Sequence, residues 1–203
     1  MLRVQMKQKR NNTLNNPAAR SSPSPSVVFL VHGNGKGKTT SAFGQALRVW
    51  GGGGRVVIYQ FIKSPGWQTG EAQAVAAIKS SRFRLVVGGK GFVGILGDTL
   101  PREAHAKAAQ RTLARAAVAL RSGRWDLVVL DEVLVAASLG LVELEEVTRR
   151  VVERAERTDV YLTGRASKEV LRALAPLAGV ITECREVRHI FASGARGKRG
   201  REY

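Results

Sequence analysis

The feature that most constrains the fold is a strand, a glycine-rich turn and a helix in immediate succession between residues 27 and 50. The run VVFLVH is short and apolar, as is typical of a buried parallel strand. The segment GNGKGKTT follows it directly, and the apolar residues of TTSAFGQALRVW then recur at helical spacing. This order predicts a loop that binds phosphate at a helix N-terminus, where free amide groups and the helix dipole favour an anion.

The loop from Gly33 to Thr40 contains every residue type that a nucleoside triphosphate requires. Its glycines let the backbone approach the phosphates, Lys38 supplies a positive charge, and Thr39 supplies a hydroxyl for magnesium. The usual spacing GxxxxGK[ST] would place a glycine at position 32, where His32 stands, so the loop counted from Gly33 is one residue short. We therefore predict that the chain binds ATP through a shortened phosphate loop.

The rest of the chain alternates short apolar runs with segments of helical periodicity. Further strands are predicted in RVVIYQFIK (55–63), FRLVVGG, DLVVLDE (126–132), DVYLTG and GVITECREV, and further helices in EAQAVAAIKS, residues 101–121, ELEEVTRRVVERA and SKEVLRALA. Strands separated by helices form right-handed βαβ units whose sheet is covered on both faces. We predict an α/β fold, a doubly wound and mostly parallel sheet of about six strands. No sequence pattern indicates the strand order.

The strand DLVVLDE ends in two carboxylates, Asp131 and Glu132. Ligands of open α/β sheets gather at the carboxyl ends of the strands, so both side chains are expected beside the phosphate loop, where they could hold magnesium. An acidic pair that only caps the following turn is the structural alternative.

Three other segments sit at predicted strand ends, QFIK with Lys63, TGR with Arg165, and GKGF with Lys90 and Phe92. Each is a candidate ligand contact by the same argument, and each taken alone also fits a structural or solvated role. The three histidines are too scattered to indicate a metal site. Cys184 is expected to be an ordinary core residue.

Composition limits the class of protein less than these motifs do. The formal net charge is +17, and about half of the excess lies near the two ends. It is compatible with a solvated surface, with binding of a small anion, or with binding of nucleic acid. Residues 1–26 are polar, basic and rich in proline and serine, which predicts a mobile tail before a domain that spans residues 27–203.

Neither a membrane span nor a signal peptide is apparent, and the single cysteine excludes an internal disulfide framework. These features together predict a cytoplasmic protein.

Several separated segments together resemble one family, the ATP:corrinoid adenosyltransferases of vitamin B12 biosynthesis and salvage. The segments are GNGKGKTTSAFG, QFIK followed by GWQTGE, GKGF, DLVVLDE, TGR and the C-terminal RHIFASGARGKRGREY. The resemblance implies an enzyme that transfers the 5′-deoxyadenosyl group of ATP to the cobalt of a reduced corrinoid and releases tripolyphosphate. Because Co(I) is itself a strong nucleophile, such an enzyme must align two substrates and stabilise the departing triphosphate, and it needs no protein base.

Carried onto this sequence, the resemblance implies ATP contacts along the whole loop, with Asn34 nearer the nucleoside, and also at two strand ends. The implied ATP-binding residues are Gly33, Asn34, Gly35, Lys36, Gly37, Lys38, Thr39, Thr40, Lys63 and Arg165. The metal, Mg²⁺ or Mn²⁺, would be held by Thr39, Asp131 and Glu132. Lys38, Glu132 and Phe92 are the implied catalytic residues.

The corrinoid side of the implied site consists of Phe92, Trp67 and Glu71. In the family, an aromatic residue at the position of Phe92 helps to displace the lower cobalt ligand, and this gives a four-coordinate state that is easier to reduce. Family members often carry Trp two residues later, whereas Gly94 stands there in this chain. Phe92 alone, or Trp67, would then supply the apolar wall.

The resemblance also implies a homodimer, in which the N-terminal segment of one subunit helps to cover the site of the other, and a reductase that supplies Co(I). No membrane or nucleic-acid partner is expected. Two competing classes are a nucleic-acid-dependent ATPase, which the basic charge favours, and a small-molecule kinase. The sequence shows no nucleic-acid-binding motif for the first and no arginine-rich lid for the second.

Overall fold

The computed structural model describes residues 25–67, 69–95 and 97–189, together with Lys198 and Gly200. The tail predicted for residues 1–26 lies almost wholly outside the described residues, as does most of the C-terminal segment of the family resemblance. No helix in the described ranges is long and apolar enough to cross a membrane.

Six strands form one parallel sheet, which confirms the predicted fold class. The strands are β1 (Val28–His32), β2 (Val56–Gln60), β3 (Phe83–Val87), β4 (Leu127–Asp131), β5 (Asp159–Thr163) and β6 (Val180–Glu183). Their order across the sheet is β3-β2-β4-β5-β1-β6, and every neighbouring pair is parallel. Strands β2 and β4 are fully buried because helices cover both of their faces.

Six helices connect these strands. They are α1 (Lys38–Gly51), α2 (Gly70–Ile78), α3 (Arg102–Arg121), α4 (Val133–Ser138), α5 (Leu144–Val152) and α6 (Lys168–Leu174), and a 3₁₀ turn (Ala175–Leu177) follows α6. Side-chain caps begin two of them, because the hydroxyls of Thr69 and Ser167 accept hydrogen bonds from backbone amides three residues later. Helix α1 ends at the glycine run, as the sequence predicts.

The core is divided by the sheet into two hydrophobic clusters, because strand side chains alternate between the two faces. On one face, Val31, Ile58 and Val129 pack against Ala42 and Ala46 of α1. On the other face, strand residues such as Leu30 and Leu130 pack against α3, α4, α5 and α6. The sheet is therefore covered on both sides, and its carboxyl edge remains available for a site.

Of the differences from the sequence-based expectations, three concern segments that lie beside the site. The second strand ends at Gln60, three residues early, because beyond it the backbone bonds to loops: the Gly88 amide donates to Gln60 O and the Gly91 amide to Ile62 O. Helix α4 was not expected, since five apolar residues and a serine so soon after a strand are too short a run to show helical periodicity. Cys184 lies just after β6 and is half-buried against one core cluster.

Candidate active site

The phosphate loop links β1 to α1 and is shaped by glycines at two kinds of position. Gly33 and Gly37 have φ angles of 103° and 105°, which side chains rarely adopt. A Cβ atom on Gly35 would lie 2.6 Å from the backbone carbon of Arg185. The segment after β6 is this close because the Gly35 amide donates a 2.7 Å hydrogen bond to Cys184 O. The loop is thus held against the end of β6, a contact that the sequence did not reveal.

Lys38 is the first residue of α1 and is buried. Its Nζ donates a 2.6 Å hydrogen bond to Gly35 O, so the ammonium group lies inside the curve of the loop. Burial lowers the pKa of Lys38 below its usual range, and the charge of Glu132 opposes this effect. A buried cation at a helix N-terminus is well placed to bind a polyphosphate. The phosphate oxygens would replace the water that burial removes from the ammonium group.

Asp131 ends β4 and is completely buried, and three side chains satisfy its carboxylate. The hydroxyls of Thr39 and Thr163 donate to Oδ1 over 2.9 Å and 2.7 Å, and Gln60 Nε2 donates to Oδ2 over 3.0 Å. The three donors come from α1, β5 and β2. Asp131 therefore fixes the Thr39 hydroxyl relative to three elements of the sheet edge.

Glu132 follows Asp131 in a left-handed conformation, with a φ angle of 63°, and its amide donates a 2.9 Å hydrogen bond to the Thr163 hydroxyl. This bend separates the two carboxylates that follow one another in sequence. Burial, and secondly the charge of Asp131, raise the pKa of Glu132 to about 7, although Lys38, Lys63 and Arg165 oppose the shift. A cation bound close to Glu132 would therefore lower this pKa and favour the ionised carboxylate.

The two basic strand-end residues take up different positions. Arg165 follows β5 and is exposed, and its Nη2 donates a 3.5 Å hydrogen bond to Asn34 O across the loop. It lines a cavity of ≈ 530 Å³ together with His32, Gly33 and Asn34. Lys63 lies just beyond β2 and is half-buried. Both charges act on Glu132, so the structure places them around one acidic centre.

The aromatic residues of the predicted corrinoid side are in direct contact. The ring centroids of Trp67 and Phe92 are 5.2 Å apart, and the rings meet edge to face. Both rings are partly exposed and line a second cavity of ≈ 280 Å³. Gly94 lies in the same loop as Phe92, and a Cβ atom there would meet no atom within 4 Å, so the position where the family often has Trp is open here. Glu71 lies in the first turn of α2, outside the lining of this cavity.

Two further loop residues, Lys36 and Thr40, are exposed around the start of α1. Among the described residues, no group of three or more His, Cys, Asp or Glu side chains is arranged to hold a metal. The oxygen ligands that Mg²⁺ prefers are present in the Thr39 hydroxyl and the Glu132 carboxyl, and a P-loop metal needs few protein ligands because phosphate and water complete its shell. The donor set therefore fits magnesium bound together with a nucleotide.

Sequence reasoning missed Gln60 and Thr163, the two other partners of Asp131. A signal was present in both cases. Gln60 is a polar residue at the end of an otherwise apolar strand, and Thr163 precedes the glycine of TGR. A buried polar side chain at the carboxyl end of a parallel strand is expected to have a partner there.

The fold and the site define a P-loop nucleotide-binding protein of the α/β class. The family model described as ATP:corrinoid adenosyltransferase BtuR/CobO/CobP matches residues 25–203. The corrinoid adenosyltransferase of Escherichia coli (strain K12) is 31% identical over 99% of this chain and 98% of its own length. That of Pseudomonas aeruginosa is 36% identical over 87% of this chain and 83% of its own.

The chain therefore belongs to the ATP:corrinoid adenosyltransferase family, and it is an enzyme that transfers an adenosyl group to a corrinoid. Among solved structures, the RadB recombinase is similar with a TM-score of 0.46 and 18% identity, covering 81% of this chain and 77% of that one.

Proposed function

We propose that the enzyme binds ATP in the loop Gly33–Thr40 and a reduced corrinoid against Trp67 and Phe92, and that Co(I) attacks the ribose C5′. The electron pair of Co(I) forms the cobalt–carbon bond. The C5′–O5′ bond breaks, and its electron pair leaves on the triphosphate, which departs as intact tripolyphosphate. No proton is transferred in this step, so no protein base is required.

The observation that carries this proposal is the segment 61–63, which joins the two halves of the site. On one side, the Phe61 amide donates a 3.0 Å hydrogen bond to Asp131 O in the phosphate half. On the other side, Ile62 O accepts a 2.8 Å hydrogen bond from the Gly91 amide, next to Phe92. A short backbone segment with a hydrogen bond on each side thus holds the triphosphate cradle next to the aromatic cavity, and transfer between two substrates requires such proximity.

The phosphate half stabilises the leaving group. Lys38, the loop amides and the N-terminus of α1 would place positive charge around the triphosphate, where negative charge increases as the C5′–O5′ bond breaks. Mg²⁺ held by Thr39 and Glu132 would shield the phosphates when bound. Asp131 would act by orienting the Thr39 hydroxyl, because all three of its hydrogen bonds come from protein side chains.

The aromatic half would prepare the corrinoid. Phe92 and Trp67 would offer an apolar surface to the lower face of the ring system, where an aromatic side chain would exclude the lower axial ligand of cobalt. Loss of that ligand would give a four-coordinate Co(II) that is easier to reduce. Glu71, in the helix that begins beside this cavity, would contact the corrinoid periphery.

The proposed direction of ATP rests on the family resemblance together with the loop length. A loop one residue shorter than usual encloses the phosphates less completely, and we propose that the triphosphate lies along it in reverse, so that C5′ is exposed to the corrinoid. The γ-phosphorus is then poorly placed for attack by water or by an acceptor hydroxyl. We also propose, from the family resemblance, a cytoplasmic homodimer served by a separate reductase.

Incubation with ATP, magnesium and chemically reduced cobalamin tests the proposal. The expected product has a light-sensitive cobalt–carbon bond, and photolysis should return the original cobalamin spectrum. Lys38→Ala is the loop control, and its product yield should fall with unchanged folding by circular dichroism. A wild-type protein that forms no light-sensitive product with any reduced corrinoid would refute the proposal.

A further inference from the structure

The cavity beside Phe92 is formed largely by a loop, Gly91–Leu100, that has no regular secondary structure in its described residues. Three of its glycines, Gly91, Gly94 and Gly97, have φ angles of 112°, 70° and 79°. A segment with three glycines at positive φ angles is flexible in isolation, because glycine loses more conformational freedom on ordering than any other residue. Its position must therefore be set by specific contacts.

The beginning of the loop is fixed by backbone contacts. The Gly91 amide donates to Ile62 O, and a Cβ atom on Gly89 would lie 2.3 Å from the backbone carbon of Ile62. These contacts hold the chain just before Phe92. They do not reach the second half of the loop, where Ile95 and Leu100 line the same cavity.

The second half is held by one carboxylate. Asp98 Oδ2 accepts a 2.8 Å hydrogen bond from the Gly94 amide, and Oδ1 accepts a 3.1 Å hydrogen bond from the Leu100 amide. His105 Nε2 lies 3.1 Å from Oδ1 and 3.0 Å from Oδ2. The two backbone amides, followed by His105, hold the pKa of Asp98 below its usual range, so the carboxylate is the form that makes these contacts.

His105 connects this carboxylate to the rigid part of the molecule. It lies in the first turn of α3 and is only 3% exposed. Helix α3 packs on β2 and β4, so the chain of contacts runs from the sheet through His105 and Asp98 to Gly94 and Leu100. Neither Asp98 nor His105 belongs to the nucleotide half of the site.

We infer that Asp98 and His105 are positioning residues that clasp the Gly91–Leu100 loop in the shape that receives the corrinoid. This inference rests on the proposed function, because it takes the Trp67–Phe92 cavity as the corrinoid site. Without the clasp, the loop samples many conformations, and corrinoid binding must supply the ordering free energy. The clasp therefore acts on the affinity for corrinoid and leaves the affinity for ATP unchanged.

The test compares Asp98→Asn with a matched control, Asp126→Asn. Asn can accept one of the two amide donors but presents its own NH₂ group to the other. Asp126 Oδ2 also accepts a backbone hydrogen bond, from the Arg55 amide over 2.7 Å, but it lies at the opposite edge of the sheet. Two variants of the partner, His105→Gln and His105→Leu, respectively keep and remove a side-chain N–H donor.

The KM for cob(I)alamin and the KM for ATP are measured separately for each variant, with the melting temperature. Asp98→Asn should raise the corrinoid KM by about 10-fold or more, since a hydrogen bond to a charged group is typically worth that factor, and leave the ATP KM within about twofold. His105→Leu should raise the corrinoid KM in the same way, and His105→Gln should raise it less. Asp126→Asn should change neither KM.

Hydrogen exchange of the peptide that contains residues 91–100 gives a readout independent of turnover. Asp98→Asn should accelerate its exchange in the absence of both substrates, and Asp126→Asn should not. Any of three results would overturn the inference. The exchange of this peptide could be unchanged, the corrinoid KM could be unchanged in a destabilised Asp98→Asn protein, or both KM values could rise equally. A wild-type protein that is inactive with every corrinoid would instead overturn the proposed function, and the corrinoid role of the clasp with it.

Discussion

The half-buried carboxyl of Glu132 should make the stability of the substrate-free protein depend on pH, and Glu132→Gln should remove that dependence. The pKa of Glu132 is about 7 in the folded protein, against 4.5 for an unperturbed Glu. The folded state therefore retains a proton that the unfolded state has lost over this interval. Because the folded pKa is raised, the stabilisation is complete below pH 4.5 and is lost as the pH rises to 7.

The size of the effect follows from the two pKa values. Their difference corresponds to a total of about 3 kcal/mol, of which about 2 kcal/mol is lost between pH 5 and pH 8. Gln has a similar shape and does not titrate. The free energy of unfolding of Glu132→Gln, relative to wild type, should therefore rise by about 2 kcal/mol between pH 5 and pH 8.

The assay is urea unfolding at intervals between these pH values, with EDTA present and no nucleotide, because a bound cation would favour ionised Glu132. A comparison of variant with wild type cancels the titration of all other groups. Glu156→Gln, an exposed substitution, is the control, and its curve should run parallel to that of wild type. Parallel curves for wild type and Glu132→Gln would refute the assignment of a raised pKa to this residue.

Three further substitutions test other parts of the site. Lys38→Ala should weaken ATP binding by about 10- to 100-fold, because it removes a charge-assisted phosphate contact, and calorimetry that finds wild-type affinity would exclude the loop as the cradle. Phe92→Ala should slow the reaction from cob(II)alamin under a weak reductant far more than the reaction from preformed cob(I)alamin; equal losses in the two assays would assign Phe92 to packing alone. Gly89→Ala should cost about 1 to 3 kcal/mol of stability, because the new Cβ would lie 2.3 Å from the Ile62 backbone, whereas Gly66→Ala, which meets no atom within 4 Å, should be tolerated; similar melting temperatures for the two would contradict this packing.

The phosphate half of the site could be predicted from sequence because its elements are local. The loop, the strand before it and the helix after it form one continuous segment, and the structure has β1, the loop and α1 in that order. Asp131 and Glu132 could be assigned to the same edge because all strands of a parallel sheet end there. The structure places Asp131 against Thr39, as this reasoning requires.

The remaining features depend on contacts between segments that are distant in sequence. The order β3-β2-β4-β5-β1-β6 is set by how the strands pack, and apolar strands of similar length do not encode their neighbours. The contact of Gly35 with Cys184, and the pairing of Asp98 with His105, join residues whose separation carries no periodic signal. Helix α4 was not predicted because its short apolar run follows β4 after only Asp131 and Glu132 and is too short to show helical periodicity.

The identity of the phosphorus product tests the central claim most directly, because it reports which bond of ATP breaks. Phosphorus NMR of a reaction with ATP, magnesium and reduced cobalamin should show intact tripolyphosphate, formed in step with the light-sensitive cobalt–carbon product. In the absence of corrinoid, ATP should be hydrolysed slowly at most, whether or not DNA or RNA is added. ADP and orthophosphate stimulated by nucleic acid, or ADP with a phosphorylated metabolite, would contradict adenosyl transfer through attack at C5′.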